Sequence, residues 1–391
     1  MPKTRILFLM SRFLDGGIDT VLVDYLQHLV HDDRYDITLA IAVGMGELEV
    51  FLQRIPPQVK VTHLLEDGRL THWQKRKITH RLPFPIKAFD EVALAPFRRL
   101  LIRQRIKKLA ARCNVVIDFD CCAYSHLKNI RTRKIAWFHF SFNVAMKQNP
   151  RRMTRIGRAL EHYDKVVTIC QAMQEEAEKL FPRLVGKLSV IYNAKDCDDM
   201  LTRAAEEVDD KRIKQAYILA VERLEESQKD IATLLYAYQM LRRQYGHEER
   251  LYLLGKGRSE PQLKALASQL GLTDDVVFLG FSANPYPWML QARILVHSAK
   301  MEGLPTVLIE GLMLGKLMVA TDCPTGPKEI LDEGKAGLLV PVGDVTTMAD
   351  AMHRLLTDET LQKNLLDGAA LHRRNFTYEE TEKRFEKVVR E

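Results

Sequence analysis

SAKMEGLPTVLIEGLMLGKLMVATDCPTGPKEI, residues 298–330, is the stretch of sequence on which the interpretation of the whole chain depends. The apolar residues 294–297 just before it predict a strand. The stretch then turns at Glu302 and continues as a helix that contains Glu310, eight positions further on. Eight residues are slightly more than two helical turns, so Glu310 is predicted to face back towards the loop.

The residues that follow Glu302 predict an anion-binding site at the start of this helix. Gly303 permits close approach of the backbone, and Pro305 near a helix start loses no N–H group that the helix needs. Free N–H groups at such a start bind anions. A carboxylate just before them cannot serve the same anion, so Glu302 is expected to accept hydrogen bonds from hydroxyls. Two carboxylates around a phosphate-shaped loop indicate a sugar on one side of a diphosphate and a ribose on the other.

This pattern resembles the donor site of the retaining GT-B glycosyltransferases of family 4. The resemblance rests on Glu302 and Glu310 with Gly-Leu-Pro between them, followed by Gly-Pro-x-Glu-Ile at 326–330. The continuation from Thr321 to Ile330 resembles the branch that builds bacterial surface polysaccharides, lipopolysaccharide and lipid-linked glycans. The resemblance implies an α/β fold of two Rossmann-like domains that face each other across a cleft. The alternative is an ordinary strand, loop and helix with two surface glutamates.

The resemblance also implies a role for each candidate residue of the donor site. Arg223 and Lys229 would bind the donor diphosphate and stabilise the charge that develops as it leaves. Glu310 would hold the ribose hydroxyls. Glu302 would hold sugar hydroxyls and the positive face of an oxocarbenium-like state. The diphosphate would also be bound at the loop and helix start formed by Gly303, Leu304, Pro305 and Thr306, where every residue except the proline supplies a backbone N–H group.

The first half of the chain begins with a buried strand at 5–10, the turn Gly16-Gly17 and a helix over 18–30. This is a nucleotide-type βα unit, although it lacks the Gly-x-Gly-x-x-Gly pattern of dinucleotide sites. In the family that it resembles, the Gly-Gly loop lies near the donor phosphates or the acceptor, and the alternative is a simple tight turn. His139 follows a later strand, and the family carries a histidine here that contacts the donor sugar.

Two features of the candidate site leave alternatives open. Arg223 and Lys229 follow the strand over 217–221 and could be ordinary solvated charges. The family usually has Gly where Glu222 and Asp230 stand, which puts the fine geometry of this loop in doubt. The triplet Asp118-Phe119-Asp120 could indicate the metal-binding motif of the other major glycosyltransferase fold, but the rest of the chain resembles GT-B, so no metal ligand is predicted.

The domain prediction follows from the alternation of strand and helix patterns in both halves. We predict an acceptor-side domain over 1–195 and a nucleotide-sugar-binding domain over 215–373. The charged residues 194–214, which are poor in strand formers, mark the boundary between them. An amphipathic helix over 374–391 would, as the resemblance implies, pack back on the first domain.

The charge of the chain is uneven along its length. Residues 1–200 hold 33 Lys and Arg against 22 Asp and Glu, and the rest holds 25 against 29. A helix over 97–109 carries Phe97, Leu100, Leu101, Ile106 and Leu109 at helical spacing among six basic residues. It either packs on the sheet with a solvated basic face or contacts an anionic acceptor or membrane surface. Residues 67–96, which contain three prolines, are expected to be irregular.

Two bulk properties bear on the compartment. The sequence contains no run of about 18 apolar residues, so no membrane-spanning helix is predicted. The six cysteines show no paired spacing, which predicts reduced thiols. A signal peptide is an alternative for the apolar N-terminus, but a buried first strand fits better. We expect a cytoplasmic protein, with a peripheral position on the inner face of the membrane left open.

The function implied by the resemblance is a metal-independent hexosyltransferase. It would move a hexose or N-acetylhexosamine from a nucleotide-diphosphate sugar, with a UDP-sugar favoured, to a saccharide or lipid-linked acceptor. No metal and no cofactor beyond this co-substrate is expected. A GT-B phosphorylase, a nucleotide-sugar epimerase, a non-catalytic GT-B subunit and a basic nucleic-acid-binding α/β protein are the alternatives. The chain keeps both Glu302 and Lys229, and few aromatics accompany the basic stripe, so we expect no nucleic acid partner.

Overall fold

A computed structural model describes residues 3–14, 16–80 and 82–390, which form two units. Unit 1 comprises Met1–Ile169, Gln174–Ile191 and Lys383–Glu391. Unit 2 comprises Cys170–Met173 and Tyr192–Glu382. The residues between 194 and 214 therefore belong to unit 2, where they contain a helix and a short 3-10 turn.

Unit 1 is built on a parallel sheet that has seven strands within the described ranges. The strand order is β3-β2-β1-β4-β5-β6-β7, so β1 and β4 are neighbours at the point where the order reverses. Phe8 of β1 is in register with Leu39 of β2 and Ile117 of β4. The strands are β1 Thr4–Met10, β2 Tyr35–Ile41, β3 Lys60–His63, β4 Val115–Asp118, β5 Arg133–Phe138, β6 Lys165–Thr168 and β7 Leu188–Val190. The central strands are almost continuously apolar because helices cover both faces of such a sheet.

The helices of the first half include two that the sequence analysis did not expect. Residues 67–96 were predicted to be irregular, but α2 and α3 lie there. Pro85 and Pro96 each lie in the first turn of a helix, where the missing N–H group has no helical partner to lose. The helices are α1 Gly17–Leu29, α2 His72–Thr79, α3 Phe84–Phe89, α4 Ala95–Ala110, α5 Tyr124–Leu127, α6 Phe142–Gln148, α7 Pro150–Leu160 and α8 Gln171–Leu180.

The segment Asp90–Leu94 joins α3 to α4 as a π-helical turn, and it changes the buried face of α4. Ile106 is buried as its position suggested, but Phe97 and Leu100 are exposed. Arg98 is buried instead, because its guanidinium lies 2.6 Å from the Asp90 carboxylate. The apolar spacing read from the sequence therefore assigned the wrong face to the first turns of this helix.

Unit 2 is built on a second parallel sheet, with six strands in the part of the chain that the structure describes. Its order, β10-β9-β8-β11-β12-β13, places β8 and β11 side by side where the order reverses. The strands are β8 Tyr217–Val221, β9 Arg250–Leu254, β10 Val276–Gly280, β11 Ile294–His297, β12 Met318–Thr321 and β13 Leu338–Val340. β12 is not among the strands predicted above. Both sheets have Rossmann-like topology, as predicted.

The helices of the second half complete this α/β unit around one apolar core. They are α9 Cys197–Ala204, α10 Glu226–Lys229, α11 Ile231–Tyr245, α12 Glu260–Gln269, α13 Tyr286–Gln291, α14 Thr306–Met313, α15 Pro327–Ile330, α16 Val345–Thr357, α17 Glu359–His372 and α18 Tyr378–Arg390. The predicted helix around Glu310 is α14, and the predicted helices over 346–373 are α16 and α17.

The last helix, α18, begins in unit 2 and contributes its final turns to unit 1. Phe385 is buried in unit 1, with its ring centroid 6.5 Å from that of Phe8 and 5.9 Å from that of Tyr35. Glu386 forms an ion pair with Arg34 at 2.8 Å. The C-terminal residues are therefore part of the core of unit 1.

Replacing Phe385 by Ala should lower the free energy of unfolding of unit 1 by about 3–5 kcal/mol, because a fully buried aromatic ring leaves a cavity. Denaturation in urea followed by tryptophan fluorescence would measure the loss, since Trp137 lies beside this ring. Lys387→Ala, on the exposed face of the same helix, should change stability by less than about 0.5 kcal/mol. Equal stability of the two variants would contradict this packing.

Candidate active site

The candidate active site of unit 2 lies at the carboxyl ends of β8 and β11. The two strands are adjacent and parallel, with Leu295 in register with Leu219. The strand order reverses between them, and ligands of open α/β sheets bind in the crevice at such a point. The loops that carry Arg223, Lys229 and Glu302 all leave the sheet at this edge.

The loop after β8 is held by backbone packing that requires glycine. A Cβ atom on Gly255 would lie 1.9 Å from the Glu222 carbonyl oxygen, and one on Gly257 would lie 2.2 Å from that of Leu224. The two loops can therefore approach only because both positions lack a side chain. Arg223 is exposed on this loop, and its side chain makes no ion pair or hydrogen bond with the described residues.

Lys229 ends the short helix α10, and Asp230 follows it in the left-handed backbone conformation, with φ of 48°. The family that the sequence resembles usually has Gly here, which adopts this conformation without strain, and aspartate tolerates it better than most residues. The Asp230 carboxylate lies 3.0 Å from Lys300 Nζ. The turn is therefore kept despite the different residue.

Four charged side chains, two of them buried and two partly buried, form a continuous chain behind this edge of the sheet, and we call it the acid–base chain. Lys229 Nζ contacts Glu302 Oε1. The same carboxylate oxygen lies 3.4 Å from His297 Nε2. His297 Nδ1 lies 2.8 Å from Glu222 Oε1. Sequence reasoning found Lys229 and Glu302 but missed the roles of His297 and Glu222.

The electrostatics of the acid–base chain favour an ionised Glu302. Burial acts to raise the pKa of this carboxyl, but Lys229 and His297 outweigh burial and lower the pKa to about 2. Burial also acts to lower the pKa of Lys229, and the carboxylates of Glu302 and Glu222 raise it above its ordinary value. Glu302 is therefore a hydrogen-bond acceptor at neutral pH.

The loop between Glu302 and α14 is fixed by the residues that follow β12. Glu302 N donates to the Pro324 carbonyl at 2.7 Å, and Thr325 Oγ1 donates to the Gly303 carbonyl at 2.9 Å. A Cβ atom on Gly326 would lie only 2.4 Å from that same carbonyl. The Gly-Pro-x-Glu-Ile sequence thus supports the loop rather than extending the site.

The helix start has the form that the sequence predicted. Pro305 precedes the helix in an extended conformation, and α14 begins at Thr306. Leu304 and Pro305 are buried, whereas Gly303 and Thr306 are half-buried. Of these residues, Gly303 and Thr306 are thus the most accessible to an anion.

Glu310 lies inside α14 and is buried, with Lys195 Nζ 2.8 Å from its carboxylate. Lys195 is also buried, and its backbone N–H group donates to the Phe376 carbonyl at 3.0 Å. One weak signal could have indicated this partner: a lysine lies two residues beyond Asn193, at the end of an apolar segment. The assignment of Glu310 to ribose hydroxyls stays a prediction.

His139 lies in unit 1 at the carboxyl end of β5 and is buried. Its Nε2 lies 2.7 Å from the Phe119 carbonyl oxygen, so this nitrogen carries the proton and donates. Burial lowers the pKa of His139 to about 4, although the bond to Phe119 acts to raise it. A ligand at this position would therefore meet a neutral imidazole whose Nε2 is already bonded to the Phe119 carbonyl.

Gly16 and Gly17 lie at the start of α1 in unit 1. The Gly16 N–H group donates to Asp19 Oδ2 at 2.8 Å, so this acid caps the helix. A Cβ atom on Gly17 would meet no heavy atom within 4 Å. The open space at Gly17 is compatible with both interpretations of Gly16 and Gly17, a ligand contact and a simple turn.

The Asp118-Phe119-Asp120 triplet ends β4, beside the loop after β1. Asp118 is fully buried and accepts hydrogen bonds from Tyr163 Oη at 2.6 Å and from the Cys122 N–H group at 3.1 Å. Asp120 accepts one from the Ser11 N–H group at 2.8 Å. These carboxylates therefore hold the two central loops of unit 1 together.

A family model described as "Glycosyl transferases group 1" matches residues 203–371. The matched residues all lie within unit 2. The match contains every candidate residue of the donor site in unit 2, from Arg223 to Glu310. It does not extend to Gly16, Gly17 or His139.

Two curated relatives share sequence with the chain. An N-acetylgalactosamine-N,N'-diacetylbacillosaminyl-diphospho-undecaprenol 4-alpha-N-acetylgalactosaminyltransferase of Campylobacter jejuni is 33% identical over 177 residues, which is 45% of this chain and 46% of that protein. The lipopolysaccharide 1,6-galactosyltransferase of Salmonella typhimurium is 23% identical over 72% of this chain and 77% of that protein. The chain thus spans less than half of the first relative.

The solved structure of HepE from Anabaena, in complex with UDP, matches 98% of this chain and 99% of its own, with a TM-score of 0.76 and 18% identity. A lipopolysaccharide outer core galactosyltransferase, WaaB, matches 99% of both chains with a TM-score of 0.68. The chain has the GT-B fold, as predicted. The sheets of both units follow the topology that this fold requires.

Lys195→Met should lower the free energy of unfolding by about 3–5 kcal/mol, because it leaves the Glu310 carboxylate buried without its cation. Adding Glu310→Leu should recover most of the loss, since an apolar pair removes the unpaired charge. Urea denaturation curves of the single and double variants would measure both changes.

The matched control is Lys335→Met, whose ion pair with Asp332 at 3.4 Å lies on the surface. This change should lower stability by less than about 1 kcal/mol. If the double variant were as unstable as Lys195→Met alone, the buried pair would not be coupled as described.

Proposed function

We propose that the chain is a retaining glycosyltransferase of family 4. It moves a hexose or N-acetylhexosamine from a UDP-sugar to a saccharide or lipid-linked acceptor during assembly of lipopolysaccharide, capsule or a related glycan. The observation that carries the proposal is the ionised Glu302, held by Lys229 and His297 directly before the start of α14. The group 1 domain supports the activity, and the UDP complex of HepE supports the donor type.

The proposed roles follow from which groups are engaged and which are accessible. Arg223 is exposed and has no acidic partner among the described residues, so it is the cation best placed to bind the donor diphosphate. The accessible N–H groups of Gly303 and Thr306 would bind the same anion. Lys229, already in contact with Glu302, would balance charge on both the acid and the diphosphate. These groups supply the charge neutralisation for which a metal would otherwise serve, so the proposal includes no metal or other cofactor.

The chemical step breaks the bond between the sugar C1 and the diphosphate oxygen and forms a bond from C1 to the acceptor oxygen on the same face. The acceptor proton passes to the departing phosphate oxygen, since no side chain of unit 2 offers an obvious general base. Glu302 would accept hydrogen bonds from sugar hydroxyls and stabilise the positive charge that develops on the ring. Glu310 would bind the ribose, and His139, Gly16 and Gly17 stay proposed donor-contact residues on the strength of the resemblance.

Glu302→Ala and Lys229→Ala should each lower kcat at least about tenfold, which corresponds to about 1.4 kcal/mol of barrier. The measurement is UDP release from a panel of UDP-hexoses and UDP-N-acetylhexosamines in the presence of candidate lipid-linked and saccharide acceptors. Lys264→Ala is a matched control, because Lys264 pairs with Glu260 on the surface of α12. Wild-type turnover in both site variants would reject these roles.

Product analysis separates the proposed reaction from the other reactions of this fold. Transfer requires an acceptor, and the product should keep the anomeric configuration of the donor. Formation of a sugar phosphate with inorganic phosphate would indicate a phosphorylase instead. Interconversion of the donor sugar without any acceptor would indicate an epimerase.

We also propose that the continuous segment over residues 84–110 docks on an anionic membrane surface that holds the acceptor. The side chains of Phe84, Val92 and Leu100 are exposed by 81%, 78% and 53%. The exposed face of α4 continues with basic residues that include Arg103 and Lys107. Peptide segments bind the boundary between headgroups and acyl chains by inserting apolar side chains while basic side chains contact anionic headgroups. No helix within the described ranges is long and apolar enough to cross a bilayer.

The double change Phe84→Ser and Val92→Ser should weaken binding to vesicles that contain phosphatidylglycerol by at least about tenfold, because each inserted side chain contributes about 1.5–3 kcal/mol. Co-sedimentation with vesicles would measure it, with phosphatidylcholine alone as the neutral reference. Leu371→Ser, which removes an exposed leucine of α17, is the matched control. Equal binding of the wild-type protein to both vesicle types would exclude an anionic docking surface.

A further inference from the structure

The buried ion pair between Glu222 and His297 has no role in the chemistry proposed above. Glu222 is 6% exposed and His297 is 1% exposed, so neither side chain can reach a donor in solution. His297 nevertheless lies with Nε2 3.4 Å from Glu302 Oε1 and Nδ1 2.8 Å from Glu222 Oε1, within ion-pair distance of both carboxylates, although neither ring nitrogen has the geometry of a hydrogen bond with the described residues. The pair thus acts on the candidate active site only through Glu302.

With Glu222 and Glu302 both ionised, the charges of the acid–base chain balance when His297 is protonated. Glu222 and Glu302 bring two negative charges into the interior, and Lys229 alone brings one positive charge. A buried carboxylate without a compensating cation is unfavourable. The Glu222 carboxylate is further fixed by the Ser298 N–H group, which donates to its Oε1 at 3.1 Å. Its other oxygen is buried and accepts no hydrogen bond from the described residues, so the neighbouring imidazolium is its main compensation.

The contacts of Glu302 are concentrated on one of its two carboxylate oxygens. Both Lys229 and His297 contact Oε1. Within the described part of the chain, Oε2 accepts no hydrogen bond. The hydrogen bond from Lys229 and the approach of the His297 imidazole to the same oxygen favour one rotation of the carboxylate and leave the lone pairs of the other oxygen for a ligand.

We propose that Glu222 and His297 are positioning residues that hold Glu302 in the orientation in which Oε2 meets the hydroxyls of the donor sugar. This inference rests on the proposed function, since it assigns the partner of Glu302 to the sugar. It adds two residues to the donor site that neither touch the donor nor carry its diphosphate. It also makes the site sensitive to the protonation of His297.

The direction of this sensitivity follows from the groups around His297. The charged groups that face it are the Glu222 and Glu302 carboxylates and the Lys229 ammonium. Burial and Lys229 act to lower the pKa of His297, but the two carboxylates outweigh them, and the pKa is raised above 6.5. The imidazolium is therefore favoured by its two carboxylate neighbours and is lost as pH rises through the raised pKa.

The test is the pH dependence of kcat and of donor KM for the wild-type protein, Glu222→Gln and His297→Gln. In the wild-type protein, kcat should fall on the alkaline side as His297 loses its proton. Glu222→Gln should move this fall to lower pH, because it removes the carboxylate that most raises the His297 pKa. His297→Gln should abolish the fall and lower kcat at least about fivefold at neutral pH, with UDP affinity within about twofold of wild type, since the diphosphate contacts are intact.

The matched control is His247→Gln. His247 Nδ1 lies 3.3 Å from the Glu249 carboxylate, just before the amino end of β9 and therefore at the opposite edge of the same sheet. This change should leave the pH profile of kcat unmoved. If Glu222 and His297 had only a structural role, replacing either of them would lower the melting temperature without moving the alkaline fall of kcat.

A measurement on the wild-type protein keeps the inference testable if either variant fails to fold. Histidine-selective NMR should find a resonance that titrates above pH 6.5 and shifts when UDP-sugar binds but much less when UDP binds, because only the sugar meets Glu302. Equal responses to both ligands, or an alkaline limb that Glu222→Gln leaves in place, would overturn the inference. Absence of any UDP-sugar-dependent transfer by the wild-type protein would instead overturn the proposed function, so the two failures are distinguishable.

Discussion

An ionised carboxylate buried against two cations is the interaction on which the structure of unit 2 depends. Glu302 leaves the sheet after β11, whereas Lys229 leaves it after β8, 73 residues earlier. They meet because β8 and β11 are neighbours at the reversal of the strand order. Burial of these charges is tolerated only while they remain in contact, since each one alone would be strongly unfavourable in the interior. The contact therefore ties the order of the strands to the position of the loops.

The loops can meet at this point because three glycines remove side chains from the places where backbones touch. Gly255 and Gly257 admit the loop after β8, and Gly326 admits the loop that carries Glu302. An alanine at any of these positions would push a Cβ atom to within 2.4 Å of a carbonyl oxygen. The precision of the charged contacts thus rests on uncharged positions, and a shift of the backbone at one loop would be transmitted directly to the acid–base chain.

Local patterns in the sequence were sufficient for most strands, though not for β12, and for the loop before α14, because apolar runs and a Gly-Leu-Pro turn are encoded in a few adjacent residues. The pairs Lys195–Glu310 and Glu222–His297 could not be found in this way, since 115 and 75 positions separate their members. Their contact depends on which strands are adjacent. Arg98 was missed for a related reason: a buried guanidinium is acceptable only because Asp90 lies opposite, across a π-helical turn that no periodicity predicts.

Two residues stand where the family that the sequence resembles usually has Gly, and they indicate how the chain accommodates such a departure at its candidate active site. Asp230 keeps the left-handed turn, and its charge is compensated by Lys300. Glu222 adds a carboxylate under the site, and its charge is compensated by His297. In both cases the cation, Lys300 or His297, lies at or just after the end of β11. Each acid lies in the loop after β8, so each ion pair joins the two loops of the candidate active site. A replacement of glycine by an acid is thus tolerated here because its electrostatic compensation reinforces the same geometry that binds Lys229 to Glu302.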